Sequence, residues 1–221
     1  MPPVEAVLFD VDGTLLDTWD AWVAAFDAGL AAVGSHAMSG SEGARWIGTP
    51  IETIYAERCR LSGDILAQAV SAFQRMEAES LRQGVRVYPG VPEMLAALHA
   101  WRLGAITNKR RDTTLEALRL AHLLDWFAVV LGGDTVSRKK PNPDPVLQAA
   151  KEMGVPVRSC VVVGDTENDV RAGSEAGAVT VGATWGYGTR ARLEEAGARY
   201  LIEVPAALPP LLRALTPSTG T

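Results

Sequence analysis

Two aspartates stand two residues apart in Asp10-Val11-Asp12-Gly13-Thr14, directly after the apolar run Val7-Leu8-Phe9. Four further residues are of types that could act with them: the hydroxyl of Thr107, the ammonium of Lys140, and the acids Asp165 and Asp169. Carboxylates gathered at one place bind a hard divalent cation, and magnesium accepts one or two of them together with substrate phosphate oxygens. Thr107 and Lys140, with neighbouring backbone N–H groups, could hold the remaining phosphate oxygens. A carboxylate can also attack phosphorus to give an aspartyl-phosphate, while a second one acts as acid to the leaving alkoxide and base to water. Phosphate monoester hydrolysis can demand roughly 10²¹-fold acceleration, of which general acid–base catalysis supplies only about 10² to 10⁴. Such a site needs a nucleophile, a metal and fixed cations together, and these residue types offer all three. Taken alone, Asp12-Gly13 is equally an ordinary turn former behind a strand. The chemical reading therefore depends on whether the distant residues can reach the first two.

The elements that must position them follow from hydrophobic patterning. Residues 4–10 read as a strand covered on both faces, because the apolar run is nearly continuous. Asp10 then falls at the strand's carboxyl end, where open α/β sheets hold their ligands, and Gly13 permits the tight turn beyond it. Residues 18–84 change character, with almost no β-branched run. Trp19, Trp22, Val23, Phe26 and Leu30 follow helical spacing, a second helix is predicted over 50–61, and a third over 64–83 with Ile65, Leu66, Ala69, Val70, Phe73, Met76 and Leu81 as its apolar stripe. From residue 85 strands and helices alternate. Helices are predicted over 91–102, 112–121, 145–154, 167–176 and 205–215, and strands over 104–107, 129–131, 160–163, 178–181 and 200–202. The residues from Thr216 to Thr221 read as a frayed tail. Such alternation implies parallel strands with right-handed crossovers. All carboxyl ends then share one edge, so Asp10, Thr107, the loop holding Lys140, and Asp165 can converge. The fold expected is α/β: a Rossmann-like parallel-sheet core formed by residues 1–17 and 85–221, with an all-helical cap domain inserted at 18–84.

Composition narrows the function classes. Apolar residues make up 48% of the 221 and charged ones 21%, enough for a sizeable core. A net charge of −5 lacks the basic footprint of a nucleic-acid binder. No apolar window approaches the roughly 18 residues of a membrane span, and the N-terminus has no basic segment of a signal peptide. Cys59 and Cys160 form no metal-ligand spacing with the three histidines and read as buried thiols of a cytoplasmic protein. No Gly-x-x-x-x-Gly-Lys loop is present, which sets aside a P-loop nucleotidase. The expected partner is a small-molecule phosphate ester acted on by a monomer or homodimer, with neither nucleic acid nor membrane.

Four motifs in order, Asp10-Val11-Asp12-Gly13-Thr14, Thr107-Asn108, Lys140-Pro141 and Gly164-Asp165-Thr166-Glu167-Asn168-Asp169, resemble those of the haloacid dehalogenase superfamily in its phosphatase branch with a helical cap. The resemblance implies Asp10 as the nucleophile that becomes phosphorylated and Asp12 as general acid/base. It implies magnesium held by the Asp10 carboxylate, the Asp12 backbone carbonyl and Asp165, and a transferring phosphoryl group bound by Thr107, Lys140 and the Asn108 backbone. Asp169 would support the metal surroundings or Lys140, and Gly13 the turn. Family dehalogenases and phosphonatases lack an acid at the Asp12 position, so its presence favours phosphoryl transfer from oxygen. Arg45-Trp46-Ile47-Gly48, Thr107-Asn108-Lys109 and Gly132-Gly133-Asp134 leading to Lys139-Lys140-Pro141-Asn142-Pro143 look like phosphoglycolate phosphatases and the related small pyrophosphatases. Arg45 and Lys109 are the specificity candidates this adds. The alternatives within the same chemistry are a sugar-phosphate mutase similar to β-phosphoglucomutase and an inorganic pyrophosphatase. A non-catalytic metal- and phosphate-binding module is disfavoured by the intact set of reactive residues.

Overall fold

A computed structural model describes residues 3–216. Most of the tail expected to fray, from residue 217 on, lies outside the described residues. Contacts divide the chain into two compact units, one comprising the chain up to Asp17 and from Val87 onward, the other Thr18–Arg86.

The first unit is built on a six-stranded sheet. In chain order its strands are β1 (Ala6–Phe9), β4 (Arg102–Ile106), β5 (Val129–Leu131), β6 (Cys160–Gly164), β7 (Val179–Ala183) and β8 (Tyr200–Ile202), with the two-residue strands β2 (Leu16–Asp17) and β3 (Arg86–Val87) flanking the insertion in sequence. The spatial order is β5-β4-β1-β6-β7-β8 and every described pairing is parallel. Strand β1 is therefore central, with Val7 in register with Leu103 on one side and Val161 on the other. Both β1 and β6 are buried along their whole length, which explains their unbroken apolar sequences. Alternate residues Ala6 and Leu8, Val129 and Leu131, and Cys160 and Val162 pack into one core cluster. The cluster also takes Val146, Ala149, Ala150 and Met153 from helix α7 or its end, and Ala172 and Ala176 from helix α8, as the two-residue side-chain period of a strand requires.

Helices α5 (Val91–Ala97), α6 (Arg111–Leu120), α7 (Asp144–Glu152), α8 (Glu167–Ala176), α9 (Arg190–Glu195) and α10 (Leu208–Leu215) follow the strands. Helix α8 begins with a reciprocal capping box between Thr166 and Asp169 and ends at Gly177, φ 84°. Helix α9 was not anticipated. It buries one apolar side chain, Leu193, and its N-terminus is capped by the Thr189 hydroxyl, so its sequence carries little periodic signal. Helix α5 is shorter than predicted and β4 starts two residues earlier. The Arg102 N–H donates to the Glu5 carbonyl at 3.1 Å, recruiting the chain to β1 before Gly104. Gly104 is mid-strand because a Cβ there would come within 2.7 Å of the Leu8 side chain.

The second unit contains α1 (Trp19–Ala31), the short α2 (Gly40–Gly43), α3 (Ile51–Glu57) and α4 (Gly63–Gln83). Its core is aromatic. Trp22 and Phe26 stack at 5.0 Å between centroids, Phe26 meets Tyr55 at 5.0 Å, and Phe73 meets Trp22 at 5.9 Å and Tyr55 at 6.4 Å. The Tyr55 hydroxyl donates to the Phe26 carbonyl at 2.9 Å, satisfying a buried polar group. Gly29 leaves the space that this hydroxyl fills. The stripe predicted for α4 is partly corrected. Ile65 and Met76 are exposed, and the buried face runs through Ala69, Ala72, Phe73, Glu77 and Leu81. Spacing alone does not separate the two sets, since Met76 stands three residues and Ile65 eight from Phe73 along the same helix, so packing decides which of them turn inward. Among the described residues no helix is long and apolar enough to cross a membrane.

Candidate active site

Parallel pairing brings the carboxyl ends of β1, β4 and β6 side by side, and the predicted site residues lie just beyond them. Asp10 follows β1 and its N–H donates to the Val163 carbonyl of β6 at 2.9 Å. Thr107 follows β4 and its N–H donates to the Leu131 carbonyl of β5 at 3.0 Å. Asp165 follows β6. Carboxylate oxygens of Asp10, Asp165 and Asp169 all lie within 4.8 Å of one another, and all three residues are buried.

Lys140 sits at the centre of this group. Its ammonium donates to Asp10 Oδ1 at 2.6 Å, Asp169 Oδ1 at 2.6 Å and the Ile106 carbonyl at 2.9 Å, which uses all three of its protons. The lysine itself is 2% exposed. Burial works against its charge, but the Asp10 and Asp169 carboxylates more than offset that and hold it firmly protonated. The second oxygen of Asp169 accepts from the Thr166 hydroxyl at 2.6 Å and the Thr166 N–H at 3.1 Å. Asp169 thus caps helix α8 through Thr166 and bonds to Lys140.

Asp165 is held by residues that sequence reading did not single out. Thr14 Oγ1 donates to its Oδ1 at 2.9 Å and the Tyr187 N–H to its Oδ2 at 2.8 Å. A Cβ at Gly13, Gly186 or Gly188 would collide with Asp165, and Gly13 also adopts φ 90°. The loop after β7 is tied back by Trp185 Nε1, which donates to the Thr14 carbonyl at 3.0 Å. The Gly-Tyr-Gly spacing at 186–188 was the available signal for this close approach.

Asp12 faces a different partner. Its Oδ1 accepts from Lys109 Nζ at 2.5 Å. Asn108 ties the two loops together, its Nδ2 donating to the Lys140 carbonyl at 2.9 Å. Arg45 lies in the other unit, exposed on a single turn of 3-10 helix over Ala44–Trp46.

The electrostatics leave room for a cation. Burial raises the Asp10 carboxyl well above the usual range, Lys140 pulls it back, and Asp169, Asp165 and Asp12 push it up again. Burial and then Asp169 raise Asp165 to about 7, against the lowering hydrogen bonds from Tyr187 and Thr14. Asp10 and Asp169 share one buried ammonium and Asp165 stands beside them without it, so acids outnumber the cation, and carboxylate oxygens are the donors that hard divalent ions prefer. Residues of this type, placed so, fit a divalent metal and a phosphoryl group beside it.

Comparison with known proteins agrees with this geometry. Residues 7–183 match the family described as haloacid dehalogenase-like hydrolase. The chain is 36% identical over 193 residues to the phosphoglycolate phosphatase of Nitrosospira multiformis, an alignment covering 84% of this chain and 85% of that protein. It is 32% identical over 222 residues to the phosphoglycolate phosphatase of Neisseria meningitidis, covering 97% and 94%. The crystal structure of a hydrolase from Pseudomonas syringae is similar at a TM-score of 0.86 and 27% identity, covering 97% of this chain and all of that one.

Proposed function

This chain belongs to the haloacid dehalogenase-like hydrolases, and from that premise we propose that it is a magnesium-dependent phosphatase of small phosphorylated metabolites, with phosphoglycolate as the substrate to test first. The substrate is suggested by the activity named for relatives that span most of the chain. The observation that carries the reaction type is the buried Asp10, Asp165 and Asp169 group with Lys140 bonded to two of its members. Three carboxyl groups and an ammonium would not be buried together without a compensating ion and a chemical task.

In the first half-reaction an Asp10 oxygen bonds to phosphorus while the ester P–O bond breaks, and Asp12 gives its proton to the leaving oxygen. In the second, water attacks phosphorus, Asp12 takes a proton from it, and the bond to Asp10 breaks to release inorganic phosphate. Thr107, the Asn108 backbone and Lys140 hold the phosphoryl oxygens. Asp10, Asp165 and the Asp12 carbonyl would hold magnesium, whose charge neutralises the phosphate and draws it to the nucleophile. The cytoplasm is part of this reading, supported by free, buried Cys59 and Cys160.

The test is phosphate release from p-nitrophenyl phosphate and phosphoglycolate with magnesium. Asp10→Asn is expected to abolish turnover by at least about 10⁴-fold while the folded state persists. Turnover retained in that variant, with the fold confirmed by circular dichroism, would sink the mechanism.

A further inference from the structure

Lys109 is the buried cation that the reaction above leaves without a task. Its backbone is fixed at both peptide groups. Its N–H donates to Thr107 Oγ1 at 3.2 Å, and its carbonyl accepts from the Gly133 N–H at 2.8 Å. Gly133 permits this approach, since a Cβ there would run into the Asn108 carbonyl. The Lys109 side chain is 5% exposed, against 15% for the Asp12 side chain it reaches. Its ammonium stands 2.5 Å from Asp12 Oδ1. A long side chain with several rotatable bonds is here nearly immobilised, and its head grips one oxygen of a short, more exposed carboxylate.

From this geometry we infer that Lys109 is the positioning residue for Asp12, fixing the carboxylate that handles the leaving-group and water protons. The inference rests on the phosphatase reading and deepens it. Asp12 borders the turn that begins at Gly13, its carboxylate turns about two side-chain torsions, and a misplacement of about 1 Å can cost roughly a hundredfold in rate. Lys109 removes that freedom by holding Oδ1. The role differs from that of Lys140, which engages the nucleophile itself and the Asp169 anchor. It differs too from substrate recognition, in which the Lys109 ammonium would donate to a ligand and its loss would appear in KM.

Two variants separate these roles. Lys109→Met keeps the aliphatic stem and removes the ammonium; Lys109→Arg keeps the charge and changes its reach. With an alkyl phosphate, Lys109→Met is expected to lose about 30- to 100-fold in kcat with KM within about threefold of the wild type. With p-nitrophenyl phosphate, whose leaving group needs no proton, rapid mixing should show a burst of about one nitrophenolate per enzyme followed by slow turnover, because water activation is now limiting. Lys109→Arg should recover part of the lost kcat, and it carries the test should Lys109→Met not fold. A deficit confined to KM, or equal losses in both phases for both esters, would overturn the positioning role while leaving the phosphatase reading intact. A wild-type protein that releases no phosphate from any ester would overturn the parent reading and this one with it.

Discussion

The two units bury different things. Among the described residues, the sheet unit buries Asp10, Lys140, Asp165 and Asp169 together at one edge, whereas the helical unit buries one charged residue, Glu77, and packs its aliphatic side chains around a cluster of aromatic rings. Removing charge from water is costly and removing Trp22, Phe26, Tyr55 and Phe73 from it is favourable. The aromatic cluster therefore needs no explanation beyond stability. The acid cluster is what a fold tolerates only where a ligand repays it. Within one chain, burial of several charges side by side marks the chemistry and burial of rings marks the scaffold.

That contrast can be broken most sharply at Lys140. Lys140→Met should abolish phosphatase activity and, in metal-free protein, cost about 3–5 kcal/mol of stability, because it strips the ammonium from two buried carboxylates. Magnesium should restore part of the lost stability in a thermal melt. A variant as stable as the wild type without metal would show that the acids are not held against their own repulsion.

A pH series sharpens the same point. Asp165 has its carboxyl raised from 3.8 to about 7, so the metal-free folded chain binds more protons than the unfolded chain between those values. Its contribution to stability is present at low pH and is lost as pH rises through that window. Metal needs the ionised carboxylate, so the apparent affinity for magnesium should weaken about a hundredfold from pH 8 to pH 5. Titration calorimetry at the two pH values checks this; equal affinities would remove Asp165 from the metal site.

The smallest effect belongs to the helical unit. Tyr55→Phe loses the bond to the Phe26 carbonyl and should cost about 1–2 kcal/mol in a denaturant melt. Its kcat and KM at 25 °C should stay within about twofold of the wild type. A large loss of kcat there would mean that the aromatic core tunes the chemistry, and the division between the units would fail.

How much was legible beforehand follows from the same division. Asp10, Thr107, Lys140 and Asp165 were readable because strand–helix alternation dictates which ends of strands meet, whatever the sequence distance. The grip of Thr14 and Tyr187 on Asp165 was not, because it depends on how the loop after β7 folds back, and only closely spaced glycines hinted at it. Lys109 was visible as a candidate, but its partner Asp12 is 97 residues away and no local pattern pairs them. In the helical unit the elements were readable and their faces less so. Ile65 and Met76 have the composition of a core stripe, but only packing decides which side of α4 turns inward.

The saturation of Lys140 has a consequence for how a substrate arrives. An ammonium with three protons already committed to Asp10, Asp169 and the Ile106 carbonyl has none to add. A phosphoryl oxygen reaches it by exchange, taking the place of an existing acceptor. Asp169 is braced by Thr166, and the Ile106 carbonyl is part of the sheet, so the exchangeable partner is Asp10. In the proposed reaction, attack by Asp10 would also spend the negative charge that Lys140 balances. On that proposal the hydrogen bond would pass from Asp10 to the phosphate as the new covalent bond forms, and the lysine would end the step as fully partnered as it began.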